Sequence, residues 1–150
     1  MTGSRRLSLR VGLLTLLLAL QPSLAQVAEV VAADEQGDFR TLSIPAARGS
    51  YQQRFWLIVD QDPRGLLCRN SQGRALIALR RGAIVETASQ EKEPLILQQT
   101  KPYLLVRVNG RDLLHDVRHR ERGLPTTCRI RANSSFIAPV LEDALLELKL

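Results

Sequence analysis

The chain has 150 residues, of which 45% are hydrophobic, and its formal net charge is +6 at pH 7. This length provides one domain with a modest core. Aromatic residues make up only 4% of the chain, too few for a surface that stacks nucleic-acid bases.

Residues 1–25 have the three zones of a signal peptide. Three arginines and no acidic residue give a positive start, and residues 11–20 form an unbroken run of apolar and small side chains. Residues 23–25 then place small residues where a signal peptidase cleaves, which predicts a mature chain beginning at Gln26. An uncleaved membrane anchor is the alternative, but a spanning helix needs about 20 apolar residues and this run stops near half of that.

Removal of this leader changes the charge that a partner would meet. It takes away three arginines and no acids, so the formal charge falls from +6 to +3. A mildly basic, exported chain argues against nucleic acid as a partner, and no stable membrane span remains after cleavage. The predicted location is the periplasm or the extracellular space.

The mature chain opens with a lead-in segment, residues 26–50, for which the sequence favours no single structure. Residues 27–33 fit either a strand or a helix packed against the main body. Residues 34–38 form a polar turn, and residues 41–47 are a proline-bearing stretch.

From Tyr51 onward, short apolar runs alternate with turn signals. The runs are rich in Val and Ile and are bounded by Gly, Pro, Asn or Asp, which is the pattern of β-strands. The predicted strands cover residues 55–59, 66–69, 75–79, 83–87, 95–97, 103–108 and 127–131. Many short strands at regular spacing predict an all-β domain, either a sandwich or a small barrel, and the short length favours the barrel.

Three segments depart from the strand pattern. Residues 88–94 form a polar loop, and residues 109–126 form a long charged insertion that contains two glycines. In residues 141–150 the leucine spacing fits one face of a short helix, but its last part alternates like a strand, and the sequence leaves both open.

Cys68 and Cys128 are the only cysteines, and both lie in the exported part of the chain. An even cysteine count outside the cytosol favours a disulfide. Closing a loop of 60 positions restricts the unfolded chain by about 4 kcal/mol in the chain-entropy model. Two unpaired buried thiols are the alternative if the leader is not a signal peptide.

Four elements follow one another between residues 65 and 140. Residues 65–69 (Gly-Leu-Leu-Cys-Arg) precede a Gly-led strand at 78–85, a strand at 103–106 that has Tyr103 where a Trp is usual, and a closing strand, turn and strand at 128–140. This order resembles the bacterial Src homology 3-type domains of exported proteins, and the two distant cysteines are similar to cyanobacterial variants. The resemblance implies a Src homology 3-like barrel over 51–140, with residues 141–150 as a C-terminal extension. It also implies that the two cysteine-bearing strands lie side by side.

Few residues could carry chemistry. His115 and His119 would share one face of a helix and could hold a metal, but the surrounding arginines disfavour a cation, so a solvated insertion is preferred. Cys68 with a histidine could form a nucleophile–base pair, although an exported cysteine with a second cysteine available is more often half of a disulfide. The chain has no Gly-x-Ser-x-Gly elbow, His-Glu-x-x-His motif or phosphate loop. The sequence therefore predicts no enzyme, no cofactor and no metal site.

The hypothesis that remains is binding. Trp56 is interpreted first as a core residue, but Src homology 3-type domains hold peptides in aromatic grooves, so Trp56, Tyr103 and Arg69 are the candidate ligand-binding residues. The predicted function is an exported, non-catalytic binding or scaffold domain for a cell-wall polymer or for a protein or peptide ligand. The alternatives are an accessory or regulatory partner of a cell-wall hydrolase and a small hydrolase with an unrecognised site.

Overall fold

The computed structural model describes residues 30–109 and 126–147 of the chain. Within these ranges the backbone forms ten strands and one short helix, and every strand ladder is antiparallel. In chain order the elements are β1 (Ser43–Ala46), β2 (Gly49–Gln52), β3 (Phe55–Ile58), β4 (Leu66–Arg69), β5 (Ala75–Leu79), β6 (Ile84–Thr87), β7 (Leu95–Gln98), β8 (Lys101–Arg107), β9 (Thr127–Arg131), β10 (Ile137–Val140) and α1 (Glu142–Glu147). The predicted all-β class is confirmed, and the strands predicted from the sequence correspond to β3 through β9.

The strands form one large sheet and one separate hairpin. The large sheet runs in the order β10-β3-β6-β8-β9-β4-β5, with β7 paired to the first half of β8, and β1 pairs with β2. In the described part of the chain β10 and β5 end this path, and no ladder joins them. Closure of the sheet into a barrel therefore stays a prediction.

The core follows the two-residue period of the strands. Each strand turns alternate side chains to the same face of the sheet. In β8 the inward residues are Leu104 and Val106, and in β9 they are Cys128 and Ile130, all of them buried. The residues between them therefore lie on the outer face, where Tyr103 and Arg131 are half-buried.

Trp56 is the largest fully buried side chain. Its ring meets Phe39 edge-on, with centroids 4.9 Å apart. The indole Nε1–H donates a hydrogen bond of 2.9 Å to Thr87 Oγ1, which in turn donates to the Gln53 carbonyl at 3.0 Å. Because a buried indole donor is costly without an acceptor, this chain of bonds makes Trp56 compatible with the core.

The lead-in is part of the same core. Val31, Phe39, Leu42 and Ile44 are all buried, and Ile44 lies in β1. The proline-bearing stretch predicted at 41–47 is thus half of the β1–β2 hairpin, and the part of 27–33 that the structure describes forms neither a helix nor a strand. The hydrophobic unit begins near residue 31 rather than at Tyr51.

The chain after β10 continues as helix α1, so the helical alternative holds for residues 142–147. The signal peptide at 1–25 and the insertion with His115 and His119 lie outside the described residues, apart from the insertion's two ends. There the Val108 N–H donates to the Thr126 carbonyl at 3.0 Å, extending the β8–β9 pairing by one step. In the ranges that the structure covers, no helix is long and apolar enough to cross a bilayer.

Candidate functional site

The predicted cysteine pair is confirmed. Cys68 in β4 and Cys128 in β9 are joined in a disulfide, with Cα atoms 5.6 Å apart and both side chains buried. The ladder between these strands has only one residue pair, Arg69 opposite Arg129. Because so few backbone hydrogen bonds connect β4 to β9, the disulfide is a principal link between them. A buried disulfide is compatible with an oxidising compartment.

Trp56 does not face a ligand surface. Its side chain is fully buried against Phe39, which agrees with its first interpretation as a core residue. Its place among the ligand-binding candidates is therefore corrected. The reason is register: Trp56 occupies an inward position of β3, between the half-buried Phe55 and Leu57.

The other two candidates, Tyr103 and Arg69, line one groove of about 300 Å³. We call this cavity the charged groove. Its apolar surface comes from Tyr103 of β8, Leu67 of β4 and Phe136 of the turn before β10. Leu67 is 43% exposed, so it offers apolar surface to a ligand without loss of core packing.

The walls of the charged groove have opposite charges. Asp60 and Asp62, from the loop between β3 and β4, line one part. Arg69, Lys101 and Arg131, from β4, β8 and β9, line another. The distribution follows from the fold, because the loop contributes the acids and the outer face of the sheet contributes the bases.

Sheet register places the basic wall beside the aromatic surface. Tyr103 and Arg131 are directly opposed across β8 and β9. The Arg131 guanidinium carbon lies 6.0 Å from the Tyr103 ring centroid, at the outer limit of a cation–π contact. Arg131 therefore covers part of the ring and fixes its neighbourhood.

The lead-in anchors this wall from behind. Arg131 Nη2 donates to Asp38 Oδ1 at 2.6 Å and Nη1 donates to the Pro102 carbonyl at 2.9 Å. The buried Asp38 also accepts a 2.7 Å bond from Asn133 Nδ2. Because Asp38 neutralises Arg131, the two basic groups with charge to offer a ligand are Arg69 and Lys101.

The acidic wall is held by its own hydrogen bonds. The Val59 and Asp60 N–H groups both donate to the Phe136 carbonyl, at 2.9 and 3.2 Å, which ties the loop to the aromatic turn. Asp62 pairs with Arg64 at 2.8 Å, and this side-chain hydrogen bond is the main cause that lowers the pKa of the Asp62 carboxyl. The carboxylate is consequently charged at neutral pH.

The charged groove offers no catalytic group of a recognised kind. Both cysteines are oxidised, and the two histidines lie outside the described residues. Among residues 30–109 and 126–147, no cluster of three His, Cys, Asp or Glu side chains is placed to hold a metal ion. The arrangement can bind and orient a ligand that carries apolar and charged groups.

Sequence reasoning missed Phe136, Arg131 and the two aspartates of the groove. Phe136 was visible only as one residue of the closing turn, although a lone aromatic beside a turn was the signal available. Arg131 lies two positions after Arg129 in β9, and this spacing could have placed it on the outer face. Comparison with protein-family models, with curated proteins and with solved structures finds no match to this chain.

Proposed function

We propose that the protein is an exported, non-catalytic binding module that holds a peptide-like ligand in the charged groove. One observation carries the proposal: Tyr103, Phe136 and Leu67 form an apolar surface between an acidic and a basic wall. Ligand sites are concave, mostly apolar and equipped with a few convergent polar groups, which is the composition found here. The Cys68–Cys128 disulfide supports a location outside the cytosol.

A peptide fits this chemistry better than a purely apolar or purely anionic ligand. An extended chain presents apolar side chains and both signs of charge along a few residues, so it can use the aromatic surface and both walls together. Aromatic-lined grooves are a recurring means of holding extended peptides. The resemblance of residues 65–140 to bacterial Src homology 3-type domains supports the same proposal, and it extends to peptides of the cell wall.

The test is a titration of the purified mature protein with peptide libraries and cell-wall peptide fragments, followed by amide NMR. We expect shifts concentrated at Tyr103, Phe136 and Leu67. Tyr103→Ala should weaken binding about tenfold or more, since truncation of a central aromatic contact typically costs more than 1 kcal/mol. Tyr51→Ala is the matched control because Tyr51 is also exposed but lies in β2, outside the charged groove.

Two results would contradict the proposal. One is a ligand whose shifts map away from the charged groove. The other is a folded Tyr103→Ala protein that binds as tightly as the parent. Retention of the purified protein on isolated cell walls separates a direct binder from an accessory partner of a hydrolase, because the latter is retained only with the enzyme present.

A further inference from the structure

Two arginines lie directly opposite each other at the centre of the sheet's outer face. Arg69 of β4 and Arg129 of β9 are the single register pair between these strands. Their neighbours Cys68 and Cys128 point inward, so the arginine side chains share the outer face. Like charges directly opposed across antiparallel strands destabilise a sheet. A pair of this kind therefore calls for a compensating group.

The described residues provide no carboxylate for this pair. Arg69 Nη1 donates to the Gly73 carbonyl at 2.9 Å, and no ion pair within residues 30–109 and 126–147 involves either arginine. Arg129 Nη1 is buried and finds no hydrogen-bond partner in those ranges. Other guanidinium groups do reach carboxylates, namely those of Arg40, Arg54, Arg64, Arg107 and Arg131.

An unmet guanidinium donor is costly where it is buried, because it has lost water without gaining an acceptor. Planar guanidinium groups match a carboxylate with two parallel N–H···O bonds, and they are more weakly hydrated than ammonium groups. A carboxylate seated over Arg69 and Arg129 would satisfy the donor and remove the repulsion between them. Arg69 also lines the charged groove, so such a carboxylate would be continuous with a ligand bound there.

We infer that Arg69 and Arg129 form a carboxylate subsite, and that the ligand of the charged groove is a peptide with a free carboxylate. The identity of the ligand rests on the proposed function, whereas the subsite itself does not. The apolar part of the peptide lies on Tyr103 and Phe136, and its carboxylate, from the chain terminus or an acidic side chain, reaches across Arg69 to Arg129.

The first experiment tests the subsite without any peptide. Acetate is titrated into the full mature protein while the arginine Nε–Hε signals are followed by NMR, with chloride at matched ionic strength as the reference. We expect saturable shifts at Arg69 and Arg129 with acetate and none with chloride. Arg81, an exposed arginine in the turn before β6, should not respond. Shifts that never saturate, or that appear with phosphate and not with acetate, would overturn the carboxylate assignment.

A triple variant checks whether the chain itself supplies the carboxylate. Asp112→Asn, Asp116→Asn and Glu121→Gln remove the acids of the insertion together. If these changes move the Arg129 signal in the absence of added anion, and acetate leaves the parent protein unchanged, the subsite for a ligand is refuted. Acetate shifts of equal size in parent and triple variant support it.

The second experiment compares one peptide with a free C-terminal carboxylate and the same peptide amidated. Arg129→Gln and, separately, Arg69→Gln should weaken the free-acid peptide about tenfold or more and leave the amidated one unchanged. Arg81→Gln, with the same loss of charge, should leave both affinities as they are. Two independent variants guard against one that fails to fold.

The outcomes separate the two proposals. Equal affinity of both peptides in the parent and in Arg129→Gln refutes the carboxylate subsite and leaves peptide binding intact. Acetate binding at Arg69 and Arg129 without binding of any peptide supports the subsite and refutes the proposed function.

Discussion

Gly65 offers a sharp test of how the charged groove is built. It precedes β4 with a φ of 77°, and a Cβ atom placed on it would lie 2.6 Å from the Leu79 carbonyl oxygen. Gly73 and Gly82 have nearly the same φ, 81° and 83°, but a Cβ on either would meet nothing within 4 Å. The three glycines therefore separate backbone strain from collision with a neighbouring strand.

The magnitudes follow from these contacts. An alanine in the left-handed region costs about 1–2 kcal/mol, which applies to all three positions. The gain from a less flexible unfolded chain, about 0.4–1 kcal/mol, is also common to them. Only at Gly65 must β4 move away from backbone of β5, and overpacking of this kind adds about 1–3 kcal/mol. Gly65→Ala should thus lose about 1–3 kcal/mol more than Gly73→Ala or Gly82→Ala.

The assay is urea unfolding of the oxidised mature protein, with the free energy of unfolding and its denaturant slope compared among the variants. Because β4 carries Leu67 and Arg69, Gly65→Ala should also shift NMR signals across the charged groove. Equal losses for all three variants would show that Gly65 is not in close contact with β5, and would refute the placement of this wall.

Three further outcomes are expected. A thiol assay without reductant should find neither Cys68 nor Cys128 reactive, and reduction should lower the free energy of unfolding by about 2–4 kcal/mol, with a melting temperature several degrees lower; a free thiol in the native protein would contradict the disulfide. The pKa of Asp34 is lowered from its usual 3.8, chiefly by the side-chain hydrogen bond from Arg40, so its contribution to stability is present above that value and is lost as pH falls through the lower folded pKa. Asp34→Asn should therefore remove part of the stability loss below about pH 4 in acid-unfolding curves, and an unchanged acid limb would refute the role of this ion pair. Intact-mass measurement of protein from the native host should give a chain that begins at Gln26, within about two residues, and retention of Met1 would contradict the signal peptide.

The strands were predictable because burial alternates along them. In β9, Cys128 and Ile130 are buried between half-buried residues, and the same two-residue period is legible in the sequence. The disulfide was predictable for a different reason, since only two cysteines exist and both lie after the leader.

The lead-in was not predictable from local pattern. Val31, Phe39 and Leu42 are buried by an irregular backbone, so their spacing shows neither a two-residue nor a 3.6-residue period. Long-range contacts determine their position, such as the edge of Trp56 against Phe39 and the bonds of Asp38 to Arg131.

The charged groove was predictable only in part. Tyr103 and Arg69 were expected to bind a ligand, but their convergence with Phe136 depends on strand pairings far apart in sequence. Trp56 shows the limit of residue type as a guide, because an aromatic in a strand can serve the core or a surface and only the register decides.

The closing bond between Val108 and Thr126 makes the β8–β9 connection a permissive point for engineering. The two strands are held together up to this last hydrogen bond, so the segment between them starts and ends at a fixed, narrow gap. Each doubling of a flexible connection costs only about 0.6 kcal/mol in closure entropy. An epitope, a fluorophore-binding peptide or a whole small domain could replace residues 110–125 while the sheet keeps its register, and the protein would then serve as a carrier that displays the insert beside its own groove.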